Sequence, residues 1–355
     1  MDYSFWRNRK VFLTGHTGFK GAWLTMWLRR MGAEVTGYSL PAPTDPSLFK
    51  LADVAAGIRS IEGDVRDLEH LKKSLIEAQP EVVLHLAAQA LVRASYADPI
   101  QTFSSNIMGT VNMLEAGRAC PSLRSMIIVT SDKCYENREW HWGYRENEAM
   151  GGRDPYSSSK GCAELVTAAF YSSFYQQTGN IGLASARAGN VIGGGDWAQD
   201  RLVPDLMRSF IAGKKTLIRN ATSIRPWQHV LEPLSGYLEL ARHAFLKPAA
   251  VTGGWNFGPA DSNAKPAGML ADLLVQRWGG DAGWERDSAP QPHEANLLKL
   301  DSSKARNLLG WHARLNFGAT LDWVSEWYKA FANGADMKTV TERQIDQYMA
   351  LPSLD

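Results

Sequence analysis

The chain has 355 residues, and 38 Lys+Arg stand against 37 Asp+Glu for a net charge of +1. That balance argues against a strongly basic nucleic-acid binder or a polybasic membrane anchor. A hydrophobic share of 45% and a charged share of 21% exclude wholesale disorder.

No window approaches the ~18 uncharged apolar residues a membrane span needs. The opening MDYSFWRNRK lacks the apolar segment and cleavage site of a secretory signal. Cys120, Cys134 and Cys162 show neither CxxC nor Cys/His ligand spacing. They read as reduced thiols of a cytoplasmic protein with no disulfide frame and no metal site.

In chain order, Lys10 to Thr14 (KVFLT) reads as a buried strand. Trp23, Trp27, Leu28 and Met31 then recur at helical spacing, and both tryptophans belong to the core. Ala33 to Tyr38 reads as a second strand, Ile58 to Val65 as a third, and Leu68 to Ala78 as a helix. Glu81 to Ala87 (EVVLHLA) is nearly all apolar, as a strand buried on both faces of a parallel sheet must be. Asp98 to Ala119 is a long helical stretch, and Ser125 to Ser131 another strand. Such strand–helix alternation predicts an α/β fold with a Rossmann-type doubly wound parallel sheet. After about residue 190 glycines and prolines interrupt the pattern. The expected division is a dinucleotide-binding domain over 1–188 and a smaller α/β substrate-binding lobe over 189–355, part of which returns to the first domain.

Gly15-His16-Thr17-Gly18-Phe19-Lys20-Gly21 lies where the first strand gives way to the first helix. Glycines there permit a sharp turn, close approach of the backbone to a pyrophosphate, and tight helix–strand packing. The helix start offers free N–H groups and a positive dipole end. Tyr156-Ser157-Ser158-Ser159-Lys160 sets a phenol and an ammonium four residues apart, on one helix face. A nearby ammonium stabilises a phenolate and brings the phenol toward neutrality, as a general base requires. A structural turn and a solvated helix face are the plain alternatives for these two segments. Thr130-Ser131-Asp132-Lys133 ends the fifth strand, the edge at which open α/β sheets bind ligands.

The spacing GxxGxxG together with YxxxK resembles the extended short-chain dehydrogenase/reductase family. TSDK, YSSSK, GGGDW (193–197) and RPWQHVLEP (225–233) together resemble its nucleotide-sugar 4,6-dehydratases, specifically the branch that takes CDP-D-glucose, from about residue 6 to residue 330. The resemblance implies NAD held by Gly15, Thr17, Gly18, Phe19, Lys20, Gly21, Asp64, Val65, Leu86, Ala87, Ala88, Gln89, Asn106, Thr130, Tyr156 and Lys160, with Asp64 reaching the adenine. No carboxylate follows the second strand, where Tyr38-Ser39-Leu40-Pro41 stands, and no Arg or Lys lies between Tyr38 and Pro46. NAD is therefore preferred to NADP, with modest affinity.

For the sugar nucleotide, the resemblance implies contacts from Ser95, Asn190, Arg201, Leu202, Arg219, Arg225 and His293. Arginines suit a diphosphate because they bind its oxygens bidentately. Trp197, Trp227 and Trp255 could stack on a base or fill the second lobe's core. The implied chemistry is oxidation at C4, loss of water across C5 and C6, and return of hydride to C6. Tyr156 would be the base at the 4-hydroxyl, Lys160 the support of its phenolate, and Ser131 a hydrogen-bond partner of the forming ketone. Asp132 would be the acid at the 6-hydroxyl if burial keeps it protonated. Lys133 would be the base at C5 if it is neutral.

The resemblance also implies a homodimer through the Tyr156 helix and the Asp98–Ala119 stretch, and a place in the synthesis of 3,6-dideoxyhexoses for lipopolysaccharide O-antigen. Three other readings stay open from the residues alone: a 4,6-dehydratase of another nucleotide sugar, a 4-epimerase, which needs Tyr156 and Lys160 but not Asp132-Lys133, and a non-catalytic dinucleotide-binding regulator.

Overall fold

A computed structural model describes residues 2–287 and 297–352. The first five strands are β1 (Lys10–Thr14), β2 (Glu34–Ser39), β3 (Arg59–Glu62), β4 (Val82–His85) and β5 (Ser125–Val129). Two more, β6 (Gly182–Arg187) and β7 (Gly253–Asn256), complete a seven-stranded sheet of order β7-β6-β5-β4-β1-β2-β3. Every pairing in it is parallel. From β1 the chain builds outward to β3, then crosses back to β4 and builds the other way. The order thus reverses between β1 and β4, which opens a crevice at their C-terminal ends.

The strand sequences dictate this burial. Every residue of β4 and β5 is buried. Alternate side chains feed opposite cores: Leu13, Leu84 and Ile127 go to one face, and Phe12, Val83 and Ile128 to the other. The first core also takes in Trp23 and Trp27 from α1 (Phe19–Arg30), both fully buried, and runs on into the second lobe.

The strands are shorter than the apolar runs. β4 stops at His85 because the next two amides, Leu86 and Ala87, donate to the Thr14 hydroxyl at 3.2 and 3.1 Å, and the chain swings over the top of β1. Helix α2 (Leu68–Ala78) starts where the Asp67 side chain accepts from the His70 amide. The expected long helix runs from Pro99 to Arg118, but Ser104–Met108 form a wider π-helical turn within it. Its last part is α3 (Gly109–Arg118). Helix α4 (Pro155–Phe170) carries the YxxxK pair; Asp154 caps it by accepting from the Ser157 amide and hydroxyl, and proline sits in its first turn.

Beyond residue 190 the chain forms short two-stranded pairings, helices α5 (Leu202–Ile211) and α6 (Leu231–Leu246), then β7, then α7 (Ala267–Trp278), α8 (Phe317–Ala332) and α9 (Met337–Ala350). β7 pairs with β6 at the sheet edge. No helix of the described residues is long and apolar enough to cross a membrane.

Candidate active site

The turn after β1 has the geometry its glycines predict. Gly15 has φ +78°, and a Cβ on it would lie 2.8 Å from the Ala87 amide nitrogen. A Cβ on Gly21 would overlap the Gly15 carbonyl. Gly18 caps α1 with no side-chain hydrogen bond, so the first-turn amides of Phe19, Lys20 and Gly21 keep the free N–H groups of a helix start. Thr17 shares a hydrogen bond with the Ser39 hydroxyl and donates to the Leu40 carbonyl, both at 2.9 Å, which ties the turn to the end of β2. His16 is buried beside Ser60, and burial pushes it down to about 4, leaving the ring neutral.

The neighbouring loop is tightly pinned. Gln89 donates its amide to Asn106 Oδ1 at 2.8 Å, and Asn106 Nδ2 donates to the Gln89 carbonyl at 2.9 Å and to Ser159 Oγ at 2.8 Å. Asn106 sits in the π-helical turn, which aims it across the groove at α4. It therefore clamps the Leu86–Gln89 loop to the YxxxK helix. The Asp64 carboxylate is taken by Arg66, at 2.5 Å, and by the Arg66 amide at 2.9 Å. Val65 packs in the core.

At the end of β5, Ser131 donates to Asp132 Oδ1 at 3.0 Å, and Asn190 Nδ2 donates to Asp132 Oδ2 at 3.3 Å. Asp132 is buried and lies directly on Gly189, where a Cβ would overlap its carboxylate. Tyr156 and Lys160 are buried on the adjoining face of α4. Burial pushes the Tyr156 phenol up to about 12; the bond with Ser131 and the charge of Arg201 pull the other way, and the charge of Asp132 adds to the rise. Lys160 donates to the Val129 carbonyl at 3.3 Å, and burial pushes it down to about 8 against the charge of Glu164.

On the phenol, burial outweighs the opposing Ser131 bond and Arg201 charge. Lys133 is half-buried, with only its backbone amide bonded, to Ser131 Oγ at 3.3 Å.

Lys20 reaches beyond the phosphate turn. Its ammonium lies 3.5 Å from the buried Tyr237 hydroxyl, and burial, Arg201 and Lys160 push it down to about 7 against Asp132 and Asp196. Arg201 donates to Asp196 Oδ2 at 3.0 Å at the head of α5, with Leu202 next to it. Residues from β1–α1, β5, α4, α5 and α6 therefore converge on one spot at the crevice.

Other expected contacts stand differently. Ser95 is completely buried, and its hydroxyl donates back to the Val92 carbonyl of its own helix at 2.6 Å. Thr130 turns its hydroxyl inward onto the Glu164 carboxylate. Arg219 donates to Asp200 Oδ1 at 3.1 Å, and Arg93 reaches the same carboxylate at 3.4 Å. Arg225 is half-buried on a short strand and donates to the Ile224 carbonyl. His293 lies outside the described residues. Trp197, Trp227 and Trp255 are all buried, so the core reading of these rings prevails over base stacking. The sequence reading assigned no role to Gly189, Asp196, Tyr237 or Glu164. Glu164 was findable as the residue one helical turn past Lys160; Tyr237 had no local signal.

Comparison with known proteins fits this geometry. The GDP-mannose 4,6 dehydratase family profile matches residues 12–322. The chain is 54% identical over 355 residues to the CDP-glucose 4,6-dehydratase of Salmonella typhimurium, covering 99% of each. Among solved structures, dTDP-glucose 4,6-dehydratase from Bacillus anthracis in complex with NAD superposes with TM-score 0.76 at 17% identity, covering 93% of this chain and 99% of that one. UDP-glucose 4-epimerase of Thermus thermophilus, also with NAD, gives TM-score 0.76 at 22% identity over 90% of this chain and 98% of that one. At those identities the superpositions speak for the fold. The family profile and the full-length relative together establish that the chain belongs to the GDP-mannose 4,6-dehydratase family of extended short-chain dehydrogenase/reductases.

Proposed function

We propose that the chain is an NAD-dependent CDP-D-glucose 4,6-dehydratase, which converts CDP-D-glucose to CDP-4-keto-6-deoxy-D-glucose and water. The observation that carries this reading is the carboxyl group of Asp132, buried at the end of β5 beside Ser131 and held by Ser131 Oγ and Asn190 Nδ2. A 4-epimerase needs the phenol and the lysine but no acid for a departing hydroxyl. The near-complete match to a CDP-glucose 4,6-dehydratase supports the same choice of sugar and base.

The residues fit the dinucleotide the reading requires. The uncapped start of α1, with no side chain on Gly15, Gly18 or Gly21, is a cradle for a pyrophosphate. Thr17, Asp64, Val65 and the Leu86–Gln89 loop would line the adenosine half, and Tyr156, Lys160 and Lys20 the nicotinamide half. NAD bound there supplies a hydride acceptor at sugar C4 and the hydride donor at C6.

The chain's own groups handle the protons. Tyr156 takes the proton of the 4-hydroxyl and Ser131 hydrogen-bonds that oxygen. The resulting ketone acidifies C5. A neutral Lys133 takes the C5 proton while protonated Asp132 gives one to the C6 oxygen, which leaves as water; when hydride returns to C6, Lys133 gives a proton back to C5. Asn190 and Gly189 hold Asp132 at that oxygen. Arg201, Arg219 and Arg225 bind the diphosphate. The site excludes solvent because Asp132, Tyr156 and Lys160 are all buried.

The reading includes a homodimer. Ile100, Phe103, Met108 and Leu165 are exposed large hydrophobics on the 99–118 helical stretch and its neighbour α4. A self-complementary apolar face of two helices per subunit suits a two-fold interface. Light scattering of wild type and Leu165→Glu tests it: a dimer that becomes a monomer agrees, and a wild-type monomer refutes it.

For the reaction, the purified chain is given CDP-D-glucose and NAD, and the alkaline ultraviolet absorbance of a 4-keto-6-deoxy sugar is followed. Its appearance without accumulated reduced cofactor is expected. Formation of CDP-galactose would instead mark an epimerase.

A further inference from the structure

Beneath the reacting groups lies a sealed polar cluster that the mechanism above does not use. Glu164 follows Lys160 by four residues on α4, so the two share a helix face. Its carboxylate accepts from the Thr130 hydroxyl, from Ser185 Oγ at 2.5 Å and from Arg187 Nη2 at 2.7 Å. Arg187 Nη1 continues to the Tyr135 hydroxyl at 2.7 Å, and Tyr135 donates to Asn256 Oδ1 at 2.8 Å. The ion pair is shut away from solvent, with side-chain exposures of 4% for Arg187 and 5% for Glu164. An apolar pair of similar volume commonly holds a fold as well as a buried ion pair does. Stability alone therefore does not account for a carboxylate at this place.

We propose that Glu164 is a positioning residue of the active site: its carboxylate fixes the Thr130–Ser131–Asp132 turn against α4 and keeps Lys160 in the ammonium form that a Tyr156 phenolate requires. The inference rests on the dehydratase reading and names a residue that reading leaves idle. Thr130 is the link to the turn, because its hydroxyl is bound to Glu164 while the next residue, Ser131, bonds Asp132.

The charges around Lys160 agree with the second role. Burial drives its amine toward neutrality, and the Glu164 carboxylate opposes that. From β4 it faces His85, which burial and Lys160 itself push down to about 3, so that ring is neutral. From the turn after β5 it faces Cys134, whose thiol burial pushes well up. From α1 it faces Lys20, another cation when protonated. Glu164 is therefore the one anion of this set. Arg187, Cys134 and Lys304 are the other titratable groups that face Glu164; burial works against its charge, but Arg187 and the three hydrogen bonds hold it below the usual carboxylate value. Tyr156, Lys160 and Glu164 follow one another at four-residue steps on α4, so Lys160 stands between the carboxylate and the phenol on that helix face.

The test compares pH profiles of kcat/KM for wild type, Glu164→Gln, Glu164→Asp and the double variant Glu164→Gln/Arg187→Met. The double variant removes both members of the ion pair and strands neither Arg187 nor Glu164, so it keeps the question answerable if Glu164→Gln alone folds poorly. Losing the carboxylate lets Lys160 shed its proton at lower pH, so the phenol holds its own to higher pH. The acidic limb should move up by about one pH unit or more in both Gln variants. At pH 7 kcat should fall roughly tenfold, with KM for CDP-D-glucose held within about twofold. Glu164→Asp should restore the wild-type limb. Active wild type with Gln variants whose limbs coincide with it, merely less heat-stable, would overturn this role and leave the dehydratase reading standing. Wild type that fails to convert CDP-D-glucose would overturn both.

Discussion

Two arginine–carboxylate pairs lie within the same end of the sheet, and they are held in opposite ways. Glu164–Arg187 is closed: both side chains are buried, and hydroxyls of Thr130, Ser185 and Tyr135 complete the cluster. Asp196–Arg201 is half open: the carboxylate is 5% exposed, while the guanidinium is 35% exposed and rests on a single 3.0 Å hydrogen bond from Nη1. A guanidinium has five N–H donors in a fixed fork. In the closed pair Nη1 and Nη2 bond interior groups while Nε has no partner among the described residues; in the open pair Nη1 alone is bonded among them. The same chemistry is closed on itself in one place and, in the other, stands where the proposed reading puts a diphosphate.

Breaking the reactive centre between these pairs should have the largest effect. Tyr156→Phe removes the base at the 4-hydroxyl and should lower kcat by about 10²–10⁴-fold, measured by steady-state turnover, with NAD affinity retained. Gly189→Ala places a methyl group where the Asp132 carboxylate now sits. Loss of a positioned acid predicts a drop in dehydration of roughly 10²-fold. Oxidation at C4 should survive, so reduced cofactor should build up in single-turnover absorbance traces; equal loss of both steps would show that Asp132 is not the displaced group.

The open pair is probed by Arg201→Met. Losing a charged hydrogen bond of about 1.5–3 kcal/mol should raise KM for CDP-D-glucose roughly 10–100-fold. Arg201→Met and Arg187→Met each strand a buried carboxylate, Asp196 and Glu164, so both should lower the melting temperature, while the rise in KM belongs to Arg201→Met.

The smallest effect is one of stability. Glu232 accepts from the Arg314 and Leu315 amides and the Tyr348 hydroxyl, and so joins α6 to α9. Burial pushes its carboxyl up to about 7 against those three bonds. A raised carboxyl favours the folded state most when protonated, so its contribution is complete below the ordinary carboxylate range and fades as pH rises through 7. Melting temperatures at pH 5 and pH 8.5 should differ less in Glu232→Gln than in wild type, by the equivalent of about 1 kcal/mol.

The regular half was legible because its strands are nearly all apolar and its helices recur on a clear period. KVFLT, VVLH and SMIIV could only be strands buried on both faces, and GxxGxxG could only open a helix behind the first of them. The end of β4 was overextended: the Leu86 amide is shared between the Thr14 carbonyl and hydroxyl, and the Ala87 amide goes to the hydroxyl. The inward turn of Thr130 was hidden because its partner lies 34 residues away on another element. Tyr237 joins Lys20 across 217 residues, a juxtaposition no local pattern encodes. Spacing puts Tyr156 and Lys160 on one face but cannot weigh burial against charge at the phenol.

The central claim is that Asp132 and its neighbours expel water across C5 and C6 of a CDP-hexose. Its most direct test is turnover of CDP-D-glucose in deuterium oxide, with the product examined by NMR and mass spectrometry. The predicted result is a 4-keto-6-deoxy product carrying one solvent deuteron at C5 and no 6-hydroxyl. A product epimeric at C4, with its 6-hydroxyl kept and no deuterium at C5, would contradict it.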